Sequence, residues 1–194
     1  MKIILASNSP RRRELMSGLD IPYEVRVLPD IAEEFPPGLA VDEVAQYIAT
    51  EKAAAYVDTM ADDELVITAD TVVIVDDEII GKPKDEEDAK AMLHKLSGRT
   101  HKVTTGVCMT TKEKQRQFSV TTEVTFKELS DDEINHYVEK YHPMDKAGAY
   151  GVQEWIGYIG VTGLRGSYYN VMGFPVQRVY RELRIENWEL GIGN

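Results

Sequence analysis

The run Leu65-Val66-Ile67-Thr68-Ala69-Asp70-Thr71-Val72-Val73-Ile74-Val75 constrains this chain more than any other segment. It is rich in β-branched residues, which suit a pleated, packed surface, and it reads as a central strand. One residue is out of keeping with the rest. Asp70 is ionisable, and burying a carboxylate is costly unless it is paired or hydrogen-bonded. A carboxylate kept in such a place is often catalytic or metal-binding. The plain alternative is a strand that breaks at Ala69-Asp70 and leaves Asp70 to cap a turn.

The flanking pattern alternates strands with helices. Lys2 to Ala6 reads as a short buried strand. Ser9 suits an N-cap and Pro10 a first helical position, which predicts a helix over 11–19 ended near Gly18. A second strand is expected over 21–27, and the three prolines of 29–38 mark a loop. Val41, Val44, Ala45 and Ile48 form one helical stripe that runs on to Ala55. Asp76-Asp77 reads as a turn into a short strand at Ile79-Ile80. Asp85 begins a helix closed by Gly98, and two β-rich runs follow at 102–111 and 117–126. Ser130-Asp131-Asp132-Glu133 is a capping box. The stretch 146–169, rich in glycine and aromatics, is expected to hold short strands and tight turns. Pro175 opens a last helix with the stripe Val176, Val179, Tyr180, Leu183. The class is therefore α/β with a mixed sheet, and 194 residues suffice for one domain of two lobes with 185–194 as a tail.

Charge narrows the partners. The net charge of −11 argues against a protein that grips long nucleic acid or docks on an anionic membrane. No segment reaches the ~18 apolar residues of a membrane span, and the N-terminal apolar run is too short for a secretory signal. The single cysteine, Cys108, excludes an internal disulfide and fits a reducing, cytoplasmic setting. It reads as a core residue.

Six segments carry groups suited to chemistry. Ser7-Asn8-Ser9-Pro10-Arg11-Arg12-Arg13 places hydroxyls and three cations at a helix start. Backbone N–H groups there favour an anion, and a bound phosphate would offset cations that the helix dipole disfavours. A solvated basic turn is the other reading. Asp70 is the second. Lys52 is the third: the span 30–64 holds ten acidic residues and this one base. A surface ion pair with Glu51 or a residue one turn away is its bland explanation. Gly81-Lys82-Pro83 is a turn presenting a lysine, though not a Walker loop. Ser97-Gly98-Arg99-Thr100-His101-Lys102 adds three potential phosphate donors, or simply complements a helix C-terminus. Asp145 to Gln153 is a Gly-rich loop in which the Gln153 amide could read a base edge. Zinc spacings, a GxSxG elbow and a GxGxxG fingerprint are absent.

The order of these motifs resembles the Maf family of nucleoside triphosphate pyrophosphatases. The likeness runs through 6–12, Glu33-Glu34, Glu51-Lys52, 69–73, 81–83, 96–101, 145–153 and 166–175, and covers about residues 2–184. It implies a two-lobed fold like that of inosine triphosphatase with a central cleft. It implies a cytoplasmic hydrolase, a homodimer, that uses Mg²⁺ or Mn²⁺ to split a nucleoside triphosphate into monophosphate and pyrophosphate. Asp70 matches the family's general base. Arg11, Thr71 and Gln153 match positions linked to substrate choice, in the version that resembles the dTTP and UTP branch. Lys52 and Lys82 match phosphate-binding lysines, and Arg12, Ser7 and Ser9 complete the expected phosphate site. Glu33 or Glu34, with Asp70, matches the acidic positions near the metal.

One departure concerns specificity. Glu154-Trp155-Ile156 stands where many members have a glycine pair, and Trp155 is expected to reshape the pocket or pack at a dimer contact. Two other functions stay open on sequence alone. One is a nucleotide sensor that regulates division without hydrolysis. The other is a house-cleaning hydrolase for modified-base triphosphates.

Overall fold

The long apolar run becomes the strand on which the sheet is built. In the computed structural model, which describes residues 1–185 and residue 188, it spans Glu64–Val75 (β3) with no break at Asp70. Only Thr71 within it is not buried. Lys2–Leu5 (β1) runs parallel to it, with Ile4 opposite Val66 and Leu5 opposite Ile67. The strand expected over 21–27 is confined to Glu24–Val25 (β2), parallel to β1. Both its residues are exposed, so this edge has little beyond backbone pairing to extend it.

Asp76 and Asp77 both adopt positive φ, a turn conformation that aspartate tolerates. It leads into Glu78–Ile80 (β4), antiparallel to β3. Thr100–Thr110 (β5), Gln115–Phe126 (β6) and Val161–Arg165 (β7) complete a seven-stranded mixed sheet of order β2-β1-β3-β5-β6-β7, with β4 on β3. The expected α/β class holds.

Helices start where their caps are. Ser9 accepts from the Arg12 N–H to open Pro10–Ser17 (α1). Val41–Ala54 (α2) follows the Pro-rich loop. Asp85 caps Glu86–Leu96 (α3), and the Ser130/Glu133 box opens Asp131–Tyr141 (α4). The stretch 146–169 departs from expectation. Besides β7 it holds a single 3-10 turn at Ala147–Ala149 and two short α-helices, Trp155–Gly160 (α5) and Tyr168–Val171 (α6). A Cβ at Gly157 would lie 1.9 Å from the Val152 carbonyl oxygen, so only glycine lets α5 fold back on the preceding turn.

Val176–Ile185 (α7) buries Val179 and Leu183 but leaves Tyr180 exposed. Glu182 is buried instead, because Arg116 Nε at 2.9 Å and Arg178 Nε at 2.5 Å neutralise it. Of the expected tail, Ile185 ends α7 and the Trp188 indole donates to the Glu182 carbonyl at 3.2 Å. The rest lies outside the described residues.

The chain forms two compact units. Unit 1 comprises 1–70, 105–120 and the described residues from Gly173 onward, and unit 2 comprises 71–104 and 121–172. The three long strands pass from one unit to the other part-way along their length. Unit 1 packs Ile4, Val66, Tyr56 and Met60 together, and separately Cys108 under Ala49 and Ala53. Unit 2 has a larger core in which Leu93, Phe126, Tyr137 and Ile156 meet.

One ion pair anchors the start of β3. Arg26 donates twice to Glu64, at 2.7 and 2.6 Å, and the Ala61 N–H adds a third bond at 2.9 Å. Arg26 thereby holds the Glu64 carboxyl down at about 2, against its ordinary 4.5. A depressed carboxyl stabilises the fold above its unfolded value, and that contribution fades as pH falls toward the folded value. Glu64→Gln should therefore lose about 2 kcal/mol at neutral pH in urea denaturation. The gap from the parent should close between pH 4.5 and 2. A gap that persists unchanged across that range would rule out the ion pair as its source.

Candidate functional site

Asp70 meets Lys52 because α2 is docked on the sheet at three places. A Cβ at Gly106 would fall 2.4 Å from the Ala45 carbonyl and the Gln46 nitrogen, so β5 lets the helix backbone settle directly on it. Gln46 Nε2 donates to the Val107 carbonyl at 3.1 Å. The Thr68 hydroxyl donates to the Ala49 carbonyl at 2.6 Å. Asp70 follows Thr68 by two residues and so shares its strand face, while Lys52 follows Ala49 by three along the helix. The next rung is thus Lys52 Nζ to Asp70 Oδ1, at 2.9 Å. The same ammonium reaches Glu33 Oε1 at 2.6 Å.

Lys52 therefore pairs with neither Glu51 nor a neighbour one turn away. Its side chain is 13% exposed and that of Asp70 12%, so this is no surface pair. Burial raises the Asp70 carboxyl above the ordinary carboxylate range, while the positive charges of Lys52 and Arg12 oppose the rise. A carboxylate moved upward in this way is a better proton acceptor near neutral pH.

The hydroxyl-rich turn is organised by its own side chains. Ser7 Oγ accepts from the Ser9 N–H at 3.2 Å, and Ser9 Oγ caps α1. Arg12 donates from Nε to the Gly173 carbonyl at 2.8 Å and from Nη1 to the Ala69 carbonyl at 2.9 Å. Arg13 donates to the Ser7 carbonyl at 3.0 Å and to Asn8 Oδ1 at 3.2 Å. Burial lowers the Arg12 guanidinium from its ordinary value and Asp70 opposes this; an arginine in that setting remains charged. The cations at this helix start are thus partly offset by carbonyls and by Asp70. Arg11 is half-buried beside them.

Unit 2 carries the other expected residues. Thr71, half-buried, follows Asp70 along β3. Lys82 is exposed in the turn after β4, and the preceding Gly81 carbonyl accepts from the Gly148 N–H at 3.0 Å. Gly148 needs its positive φ and has Val73 methyls 3.0 Å from where a Cβ would sit. The turn that presents Lys82 is thereby tied to the Gly-rich loop that ends in Gln153. Gln153 Oε1 is buried and lacks a hydrogen-bond partner.

One expectation fails here. His101 is not a phosphate donor. It is 2% exposed, its Nε2 bonds the Tyr150 hydroxyl at 2.6 Å, and burial pushes it down to about 4, so the ring is neutral. Strand alternation turns it inward between Thr100 and Lys102, and Arg99 pairs with Asp76. Trp155 packs against the core of its own unit, with its ring 4.8 Å from that of His136.

Two carboxylates, Asp70 and Glu33, share one ammonium, whereas Glu34 is exposed and makes neither contact. Among the described residues no three acidic, histidine or cysteine side chains converge as a metal cage. Oxygen donors from one or two carboxylates, completed by phosphates and water, are what Mg²⁺ commonly takes, so this donor set fits Mg²⁺ or Mn²⁺. Sequence reasoning missed Gly106 and Thr68 as the residues that seat α2. A glycine inside a β-run, the usual mark of close backbone approach, was the available signal.

Residues 2–186 match the family described as Maf-like protein. The chain belongs to the Maf family. Among its Maf relatives, the dTTP/UTP pyrophosphatase of Phocaeicola vulgatus is 64% identical over 94% of this chain and 95% of its own length. That of Parabacteroides distasonis is 60% identical over the same shares. That of Porphyromonas gingivalis is 56% identical, over 94% of this chain and 93% of its own. The Ham1 protein of Staphylococcus aureus shares the fold, with a TM-score of 0.56 at 17% identity over 96% of this chain and all of that one. No helix among the described residues of this Maf chain is long and apolar enough to cross a membrane.

Proposed function

We propose that this chain hydrolyses dTTP and UTP to the nucleoside monophosphate and pyrophosphate, with Asp70 as general base. The observation that carries the reading is the Asp70 carboxylate. It is buried within a central strand, raised by that burial, and held by Lys52 beside Glu33. The relatives named dTTP/UTP pyrophosphatase support the same activity.

Asp70 takes a proton from water as the water oxygen bonds to the α-phosphorus. The bond from that phosphorus to the α–β bridging oxygen breaks, and pyrophosphate leaves. Lys52, Arg12 and Lys82, with the Ser7–Ser9 turn at the start of α1, balance the phosphate charge. Mg²⁺ or Mn²⁺, held by the Glu33 and Asp70 carboxylates, would neutralise further charge on the triphosphate.

Base choice falls to Arg11, Thr71 and Gln153. Uracil and thymine share an N3–H donor between two carbonyls, whereas cytosine presents an acceptor at N3. The buried, unpartnered Gln153 Oε1 suits the donor. A cytoplasmic setting fits the free, buried Cys108.

A pyrophosphate-release screen over dTTP, UTP, dCTP, GTP and 7-methyl-GTP, with Mg²⁺, Mn²⁺ or chelator, tests the reading. Turnover of dTTP and UTP is expected with metal, at least about tenfold above the others, and is lost in chelator. Turnover of no triphosphate would point instead to a nucleotide sensor and overturn it.

A further inference from the structure

Gln153 sits in a turn whose shape is fixed from outside the site. The Gly151 N–H donates to the Tyr137 hydroxyl at 3.0 Å, in a buried bond. That hydroxyl donates in turn to the Glu154 carboxylate. Burial, and then Glu154, push the Tyr137 phenol well above its ordinary value, so it stays protonated and remains a donor. Glu154 also lies 3.2 Å from Lys146 Nζ, which pairs with Asp145 at 2.8 Å as well. Lys146 is only 8% exposed, and these carboxylates offset the cost of its burial.

The backbone repeats the closure. The Glu154 N–H donates to the Gly151 carbonyl at 3.0 Å, and the Gly157 N–H to the Glu154 carbonyl at 2.9 Å. A Cβ at Gly151 would lie 2.9 Å from Glu154 Cδ, so the carboxylate covers that glycine directly. Gln153 is thus bracketed by two residues that share one phenol. Tyr137 is itself fixed, since it is buried in the core of unit 2 and stacks on Tyr141 at 5.2 Å.

We propose that Tyr137 and Glu154 are positioning residues for base recognition. They lock the Gly151–Glu154 turn so that the Gln153 amide is preset for a uracil or thymine edge. The proposal rests on the function proposed above. A loose turn would weaken base contacts and leave the phosphate chemistry intact, so the effect falls on KM and on base discrimination.

The test uses Tyr137→Phe, Glu154→Gln and Gln153→Ala on the full chain. Tyr137→Phe should raise KM for dTTP and UTP about tenfold, with kcat within about twofold, and cut the preference for dTTP over dCTP by a similar factor. Combined with Gln153→Ala it should add little to the loss, because both changes remove the same contact. Glu154→Gln, which keeps the shape and an acceptor for the phenol, should retain more of that preference than Tyr137→Phe. Equal losses on dTTP and dCTP, or losses that add fully to those of Gln153→Ala, would overturn the proposal. Hydrogen exchange at the Gly151 amide needs no substrate and separates the two readings. Faster exchange in Tyr137→Phe supports the lock even if dTTP is not turned over, while unchanged exchange removes it even if dTTP is a substrate.

Discussion

Asp70→Asn should slow pyrophosphate release from dTTP by about 10²- to 10⁴-fold, the range that a positioned general base contributes. The amide keeps the size of the side chain and an oxygen for Lys52 at the 2.9 Å contact. It removes the site that accepts the proton of the attacking water. Stability should change little, because Lys52 keeps its 2.6 Å partner Glu33 and a buried negative charge is relieved. Unfolding and turnover measured on the same preparation separate the two effects. A variant that folds normally and turns over at the parent rate would remove Asp70 from the chemistry.

Lys52→Met acts on the same carboxylate from the other side. A cation at hydrogen-bonding distance lowers a carboxylate's pKa, and Lys52 opposes the upward pressure of burial on Asp70. Without it, Asp70 should hold its proton to higher pH. Because the deprotonated form is the base, the acidic limb of the pH–rate profile should move to higher pH. The maximal rate should also fall, since a phosphate-binding charge is lost. Glu33, whose side chain is 48% exposed, loses its tie to α2 and leaves the Pro-rich loop less firmly held. An acidic limb that stays in place would show that Asp70 is not the group titrating in the rate.

These two residues also show how far the sequence can be read. Asp70 was legible because a carboxylate inside a β-branched run violates the pattern around it, and only pairing or function sustains such a violation. Lys52 was not. Its partners lie 18 and 19 residues away, beyond any helical spacing, and were brought to it by the seating of α2. The caps at Ser9, Asp85 and Ser130 were legible because capping is local chemistry between residues three apart.

The two short helices after Lys146 were hidden for the opposite reason. The glycines of α5 resemble turn residues, but Gly157 is a glycine because α5 folds against Val152, a contact known only after folding. His101 was misread as a surface base among Arg99 and Lys102. The period of two along β5, with Val103 also buried, already turned it inward. The bracketing of Gln153 by Tyr137 and Glu154 was likewise beyond reach, since the phenol comes from a helix 14 residues before Gly151.

The identity of the products from dTTP tests the central claim most directly. Phosphorus NMR of dTTP incubated with the full chain and Mg²⁺ should show dTMP and pyrophosphate appearing in equal amounts. Release of inorganic phosphate with dTDP, or dTTP left unchanged, would contradict it.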